Sequence, residues 1–293
     1  MEHLIVFSAD LHGNEMQYQK LIDFADSNSA GSVIIGGDIT PGWVDKRHLI
    51  YSQRSFLLSR LPLLLSPLNK RLPECQIFLI MGNDDCACNM DVLERQGGKV
   101  FHVVHGRRLE LTEDFDIVGY SFVPITPFGL KDWEKFDLSE VPQDLAAEYT
   151  NRKVENCCFD GFKSTINGWE EFRFTEGMEK EDSIQKDLKK RVFTKNPEKT
   201  VYVTHTPPNR TNLDQSSYEN HLGSMAVRRF IEKHQPYSTL HGHIHETVDV
   251  SGQFKENIGN SLSLSAGNKC FEEKLSIVTF DLYDLKTARR LVM

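Results

Sequence analysis

Strands and helices alternate through the first hundred residues of this sequence. Three short apolar segments rich in Ile, Val and Phe have the length and composition of buried strands. The stretches that follow them have apolar residues at helical spacing, and Asn14 is the predicted N-cap of the first helix. The predicted elements are strand 3–8, helix 15–25, strand 32–35, helix 45–65, strand 76–81 and helix 90–95. Such alternation predicts a largely parallel sheet with crossover helices.

After residue 100, the predicted strands become shorter and lie closer together in sequence. Segments 101–104, 108–111 and 116–120 are short strands with close turns, so antiparallel pairing is expected to begin there. The predicted core resumes with strand 201–203, helix 224–233 and strand 239–240. Strands 261–264, 275–280 and 290–292 finish the chain and are expected to form a second sheet.

Residues from about 127 to 199 interrupt this pattern. The stretch is charged and lacks clear strands, and 181–193 is predicted to be an amphipathic helix with Ile184, Leu188 and Val192 on one side. We interpret 127–199 as an insertion or cap within a single domain that spans 1–293. The alternative is a set of surface helices packed far from any site, because long connections are often but not always functional.

Composition excludes several classes of protein. A formal net charge of −8 argues against a sequence-independent nucleic-acid binder, which needs a basic face. No stretch reaches the length of apolar residues that a transmembrane helix requires, and the N-terminus has no signal-peptide pattern. The six cysteines are not spaced like a secreted disulfide framework, so we expect free thiols and a cytoplasmic location.

Polar clusters follow five of the predicted strands. In open α/β sheets, the loops past the carboxyl ends of the strands form the binding crevice, so these clusters are expected to meet. The clusters are Asp10-Leu11-His12, Gly37-Asp38, Gly82-Asn83-Asp84-Asp85, His205 and Gly242-His243-Ile244-His245.

These residue types are the ligands of a two-metal site. Carboxylate, imidazole and amide oxygen suit Mn, Fe and Zn ions. Residues two apart in an extended segment point the same way, as in D-x-H and H-x-H, and a carboxylate such as Asp38 can bridge two ions. Each cluster alone is weak, since a lone histidine after a strand is more often a hydrogen-bonded core residue. The two-metal site is indicated because all five clusters occur together, in this order, each at the end of a predicted strand.

The order D-x-H, G-D, G-N-x-D, H, G-H-x-H resembles that of the calcineurin-like metallophosphoesterase family. The forms G-G-D-I-T, T-H-T-P-P and G-H-I-H-E resemble its smaller prokaryotic-type branch. The resemblance runs from Asp10 to His245 and covers most of the chain except 127–199. It implies a four-layer α/β/β/α sandwich of two mixed sheets flanked by helices, here with an insertion.

The resemblance also implies roles for individual residues. A first metal would be held by Asp10, His12 and His245, and a second by Asn83, His205 and His243, with Asp38 bridging the two. A hydroxide shared by the ions would attack phosphorus in line. The residues expected to take part in catalysis are Asp38, Asn83, Asp84 and His205. Asp85 would orient a metal ligand without contacting the metal itself; the alternative is that it is an N-terminal residue of a helix.

One position departs from the family pattern. The family commonly has G-N-H-[DE], where the His assists the leaving group, and here that position is Asp84. An aspartate near two cations is expected to stay ionised and to be a poor general acid. The enzyme would then favour substrates with good leaving groups or take the acid from elsewhere, for instance from His102, His105 or His221, each of which is otherwise a structural residue. The alternative is weak catalysis. His241 is interpreted as a core residue, not as a ligand.

The leading hypothesis is an enzyme, a metal-dependent hydrolase of phosphoric esters. It would act on a small phosphodiester in preference to a monoester, because a monoester leaving as an alkoxide needs protonation more urgently. One alternative is a catalytically weak scaffold of the same fold, and another is a nuclease of the same superfamily.

Overall fold

The computed structural model describes residues 2–42, 45–141, 157–218 and 220–293. Its strands are β1 (Leu4–Ser8), β2 (Ser32–Gly36), β3 (Gln76–Ile80), β4 (His102–Val103), β5 (Arg108–Glu110), β6 (Asp116–Tyr120), β7 (Val123–Pro124), β8 (Glu134–Lys135), β9 (Asp160–Thr165), β10 (Gly168–Arg173), β11 (Thr200–Thr204), β12 (Ser238–His241), β13 (Lys255–Ile258), β14 (Ser261–Ser265), β15 (Ser276–Asp281) and β16 (Asp284–Val292).

The helices of the described residues range from single turns to thirteen residues. They are α1 (Glu15–Ser27), α2 (Lys46–Ser55), α3 (Leu61–Arg71), α4 (Met90–Gln96), α5 (Met178–Glu181), α6 (Ile184–Asp187), α7 (Arg191–Thr194), α8 (Met225–His234) and α9 (Thr247–Ser251). A π-helical segment, Phe56–Arg60, joins α2 to α3, so the predicted helix 45–65 is continuous and longer than expected. Asn14 caps α1 as predicted, because its side chain accepts from the N–H of Gln17 at 3.2 Å.

Two six-stranded sheets carry the fold. The first has the order β16-β15-β1-β2-β3-β4, and the second has the order β13-β14-β12-β11-β6-β5. Strands β1 to β4 are parallel, and so are β6, β11, β12 and β14. Antiparallel strands complete one edge of the first sheet and both edges of the second. The prediction of two mixed sheets is confirmed.

Three hydrophobic clusters separate four layers. Side chains such as Leu21, Leu65 and Val33 fill the space between α1, α3 and the first sheet. A second cluster, which includes Phe7 and Leu240, lies between the two sheets. A third packs α8 against the outer face of the second sheet. Because each sheet is covered on both faces, its central strands are buried throughout, and the layer order is α/β/β/α.

Two predictions about strand pairing were wrong. Segment 101–104 was expected to begin antiparallel pairing, but β4 extends the parallel part of the first sheet beside β3. The strands predicted at 275–280 and 290–292 were placed in a second sheet, but β15 and β16 pair beside β1 in the first. Only β14 of the closing strands joins the second sheet. The apolar composition of a strand shows that it is buried, but not which partner it takes.

The 127–199 segment also differs from its prediction. It contains an antiparallel hairpin of β9 and β10, whose strands are joined by a turn at Ile166-Asn167. The predicted helix 181–193 is instead divided into short turns, of which α6 and α7 are parts. Ile184 and Leu188 are buried on the second sheet together with α8. The insertion assignment includes residues 142–156, which lie outside the described residues.

Among the residues that the structure describes, no helix has the length and apolarity needed to cross a membrane.

Candidate metal centre

The predicted ligands follow parallel strands at one edge of the two sheets. In the first sheet, β1, β2 and β3 end just before Asp10, Asp38 and Asn83. In the second sheet, β11 and β12 end just before His205 and His243. Because parallel strands end at the same edge, residues distant in sequence are delivered to one crevice between the sheets.

One group of ligand atoms forms a first cage. Single ligand atoms of Asp10, His12, Asp38 and His245 all lie within 4.8 Å of one another. The Nε2 atoms of His12 and His245 are 3.4 Å apart, and His12 Nε2 is 3.6 Å from Asp38 Oδ2. Two carboxylates and two imidazoles around one point fit a divalent transition metal.

A second cage shares Asp38 with the first. The Oδ1 atom of Asn83 lies 2.6 Å from His243 Nδ1 and 3.1 Å from His205 Nε2. His205 Nε2 is also 3.3 Å from Asp38 Oδ2. The other ring nitrogen of His205 lies 2.8 Å from the carbonyl oxygen of Gly36, a contact that directs Nε2 towards the cage. Asp38 is therefore positioned to bridge two ions.

The backbone at these ligands is strained. Four of them lie in the left-handed region, at φ values of 55° for Asp10, 41° for His12, 49° for Asp38 and 71° for His243. Residues other than glycine rarely adopt this conformation, which costs of order 1–3 kcal/mol each and concentrates at functional sites. The strand ends thus turn abruptly to direct these side chains into the crevice.

Gly82 shows how tightly the cages are built. A Cβ atom at this position would lie 2.6 Å from His205 Nε2 and would overlap an Asp38 carboxylate oxygen. Any side chain here would occupy the space in which the ligand atoms converge. The glycine before Asn83 is therefore required by the close approach of ligands as well as by the turn.

Comparison with known proteins agrees with this geometry. The profile of the calcineurin-like phosphoesterase family matches residues 3–247. The chain belongs to this family. No curated protein matches the sequence.

Solved structures share the fold of this phosphoesterase family member. One crystal structure matches with a TM-score of 0.60 at 14% identity, and the match covers 100% of this chain and 99% of the other chain. TT1561 of Thermus thermophilus has a TM-score of 0.56 at 16% identity, with 99% of this chain and 98% of that chain covered. At these identities the likeness concerns the fold.

The central carboxylate and imidazole of this family member perturb one another. Burial opposes ionisation of Asp38, but His205 and His12 outweigh it and hold the pKa of Asp38 below its ordinary range. Burial also acts to lower the pKa of His205, but the neighbouring Asp38 raises it to about 9. A bound cation would replace the His205 proton, so metal binding at this site is coupled to proton release.

Asp85 acts through the backbone. Its buried carboxylate accepts from the N–H groups of Ile39 at 3.0 Å, Thr40 at 2.9 Å and Gly82 at 2.9 Å. It therefore ties the loop after Asp38 to the loop before Asn83. The orienting role expected of Asp85 stays a prediction, and these contacts would exert it through backbone groups that flank the ligands.

Asp84 lies at the mouth of the crevice. Its Oδ1 atom accepts from the Asn83 side chain at 2.9 Å, and its backbone N–H donates to Asp38 Oδ1 at 2.8 Å. Burial and the neighbouring carboxylates of Asp38 and Asp85 raise the pKa of Asp84 above its ordinary range. Cations in the two cages would act in the opposite direction, so the predicted ionised state of Asp84 depends on the metals.

The alternative acids predicted from sequence lie elsewhere. His102 packs on Phe78, with ring centroids 5.4 Å apart, and His105 lies against Trp133 at 4.9 Å. The Nδ1 atom of His221 is 2.7 Å from Asp214. His241 is buried, as expected of a core residue, and burial lowers its pKa to about 4. Among the described residues, none of these histidines lines the cavity over the cages.

A cavity of about 660 Å³ opens over the cages. Its walls combine the predicted ligands with apolar side chains of the 127–199 segment and of the loop before β15. The described lining residues are Asp38, Gly42, Leu49, Asn83, Asp84, Phe128, Leu130, Ser217, His243, His245, Glu246, Lys269, Phe271 and Glu272. Phe128 and Phe271 are 54% and 69% exposed, so this wall presents aromatic faces to solvent.

One residue of the site was missed from the sequence. The Sγ atom of Cys270 and one ring nitrogen each of His12 and His245 lie within 4.8 Å of one another. Cys270 carries no motif, because it stands alone between β14 and β15. Its position after a strand was the one indication, because β14 is parallel to β12 and the loops after both strands lie at the same edge of the sheet.

Proposed function

We propose that this protein is a dinuclear metal-dependent phosphoesterase that hydrolyses a small phosphodiester. The observation that carries the proposal is the position of Asp38, whose carboxylate belongs to both ligand cages. A shared carboxylate holds two ions close together, which is the arrangement that in-line displacement at phosphorus requires. The metal identities, Mn, Fe or Zn, remain predictions, as does a cytoplasmic location.

The chain's own residues supply the frame for this chemistry. Two bound ions would activate water and neutralise charge on the phosphoryl oxygens. Asp10, His12 and His245 would hold one ion, and Asn83, His205 and His243 the other, with Asp38 between them. The Asp84 N–H fixes Asp38, and the Gly36 carbonyl fixes His205, so neither ligand must reorient during turnover.

Preference for a diester rests on Asp84. This carboxylate occupies the position from which the family commonly assists the leaving group, and Lys269, the one lysine or arginine among the described lining residues, is paired with Asp249 and Glu272. A monoester with a poor leaving group would then react slowly. A diester with an acidic alcohol needs this assistance least.

The cavity favours a small substrate over a nucleic acid. Of its described lining residues, Lys269 is the one lysine or arginine, whereas Asp84, Glu246 and Glu272 carry carboxylates. A long polyanion would meet repulsion beyond its first phosphate, because nucleic-acid binding depends on neutralising many phosphates. We also propose that 127–199 is an insertion that shapes specificity, since Phe128 and Leu130 line this cavity.

The test combines metal analysis with hydrolysis of two model esters. Purified protein loaded with Mn is expected to hold about two ions per chain and to hydrolyse bis-p-nitrophenyl phosphate faster than p-nitrophenyl phosphate. Turnover of the monoester alone would keep the phosphoesterase and remove the argument from Asp84. Metal binding with no turnover of either ester would favour a scaffold, and protein that binds no metal would overturn the proposal.

A further inference from the structure

We infer that Cys270 is an additional ligand of the first metal, joining Asp10, His12, Asp38 and His245. The inference rests on the proposed dinuclear site and extends it to a residue outside the predicted ligand set. It names a thiolate where carboxylate, imidazole and amide ligands were expected.

The first argument is distance. The Cys270 Sγ atom and one nitrogen each of His12 and His245 lie within 4.8 Å of one another, and the same two histidines form the first cage with Asp10 and Asp38. Two atoms on one zinc ion are separated by at most the sum of their bond lengths, about 4.4 Å for sulfur and nitrogen. Sulfur and nitrogen ligands of a tetrahedral zinc ion lie about 3.6 Å apart, so side-chain shifts of up to about 1 Å would bring all three onto one ion.

The second argument is topology. Strand β14 is parallel to β12, so the loop after β14 leaves the sheet at the edge where His243 and His245 lie. Cys270 is buried in this loop. The same rule that delivers the histidines thus delivers the sulfur to the crevice.

The third argument is that buried polar contacts hold this loop against the first cage. The Asn268 side chain donates to the Asp10 carbonyl at 3.1 Å and to Gln17 Oε1 at 2.9 Å. Gln17 in turn donates to the Lys269 carbonyl at 2.9 Å, and Asn14 donates to the Cys270 carbonyl at 2.9 Å. Asn268 and Gln17 are fully buried, so these bonds are costly to break and fix the position of the cysteine.

The chemical consequence is a softer first site. On binding, the Cys270 S–H bond breaks, its proton goes to solvent, and a sulfur–metal bond forms. Thiolates favour Zn and Fe, whereas Mn prefers carboxylate and water ligands. The first site is therefore expected to prefer Zn or Fe over Mn, and the preference should weaken when the sulfur is removed.

X-ray absorption at the zinc edge tests the inference in the unmodified protein. Zinc-loaded protein is expected to show a sulfur scatterer at about 2.3 Å, at half a sulfur per zinc when both sites are filled. Cobalt-loaded protein should show a thiolate-to-metal charge-transfer band in the near ultraviolet. Cys270→Ser should lose both signals, and the matched control Cys158→Ser, which changes an exposed cysteine, should keep them.

The outcomes separate this inference from the proposed function. Two bound zinc ions with diester turnover but no sulfur scatterer would overturn the role of Cys270 and leave the phosphoesterase standing. A sulfur signal that persists in Cys270→Ser would also overturn it. Protein that binds no zinc would overturn both. Loss of the signal only in Cys270→Ser, with zinc affinity lowered about tenfold or more, would support the inference.

Discussion

The ligand edge of the sheets and the 127–199 segment beside it hold their side chains in different ways. At the ligand edge, Asp38 and His205 are almost fully buried, and backbone groups fix them through hydrogen bonds. In the 127–199 segment, Phe136 and Phe174 pack in a small cluster with Ile125, which lies just before the segment, and Phe128 remains half exposed over the cavity. The difference fits the proposal that the ligand edge performs the chemistry and that the segment shapes specificity.

The largest effect is expected for Asp38→Asn. An amide cannot supply two anionic oxygens to two ions, so both cages should lose affinity and diester hydrolysis should fall by about 10³-fold or more. Metal content and turnover of bis-p-nitrophenyl phosphate measure this change. Asp114→Asn, an exposed carboxylate in the turn between β5 and β6, is the matched control and should keep both. Full activity in Asp38→Asn would contradict the bridging role.

Asp85→Ala tests whether the edge is positioned through its backbone. The substitution leaves three buried N–H groups without their acceptor, on either side of the ligands Asp38 and Asn83. We expect metal affinity to fall about 10- to 100-fold, as for other groups that orient ligands. Isothermal titration with Zn measures this loss. Asp85→Asn keeps one acceptor oxygen and should retain more affinity, and equal affinities in the two variants would refute the argument.

Asp84→His would restore the residue that is common in the family. A histidine at the cavity mouth should donate a proton to poor leaving groups, so hydrolysis of alkyl phosphates relative to nitrophenyl phosphates should rise by about tenfold or more. The ratio of the two rates isolates the effect from any change in metal content. An unchanged ratio would show that Asp84 does not limit the choice of substrate.

The predictability of the two regions differs for a physical reason. Glycine and metal-ligand residue types recur at strand ends, so Asp10, Asn83 and His243 could be predicted to meet once parallel strands were recognised. The left-handed conformations of Asp10 and Asp38 had no such signal, because they follow from the contacts around them. Cys270 was missed because a single cysteine after a strand has no motif.

The 127–199 segment was the harder region. Its hairpin β9–β10 turns at Ile166-Asn167, where the Asn-Gly pair that begins at Asn167 is a hairpin signal, but the strands are partly exposed and rich in charge, so their alternation is weak. The predicted helix 181–193 has helical spacing at Ile184 and Leu188, but those residues pack on the second sheet from separate turns. Tertiary packing overrode the periodicity there.

Phe128→Ala tests the proposed influence of the segment on substrate choice. Phe128 lines the cavity and is half exposed, so its loss should remove an aromatic contact worth about 1 kcal/mol and raise KM for aromatic diesters about fivefold. Steady-state kinetics should show kcat nearly unchanged. Ile166→Ala removes an exposed apolar side chain at the hairpin turn and is the control. A similar KM change in both variants would argue against a specific contact.

The smallest effect is expected for the pH dependence of stability that His105 causes. This residue belongs to neither the ligand edge nor the 127–199 segment. Its Nδ1 atom accepts from the Ser121 N–H at 3.0 Å, and its ring lies against Trp133, so burial lowers its pKa to about 4. The unfolded chain takes up this proton near the ordinary value of about 6.5, before the native protein does. The free energy of unfolding should therefore fall as the pH falls from about 6.5 to about 4.

Urea unfolding of the unmodified protein and of His105→Asn, which keeps an acceptor for Ser121, isolates this contribution from other titrating groups. The stability difference between the two proteins should shrink by about 1 kcal/mol between about pH 7 and about pH 4.5, a value reduced from the full shift because the ring is partly exposed. A difference that stays constant with pH would show that His105 keeps its ordinary pKa in the folded protein. Any loss of stability of the unmodified protein in acid would then originate from other titrating groups. Packing against Trp133 would in that case not lower the pKa of the His105 imidazole.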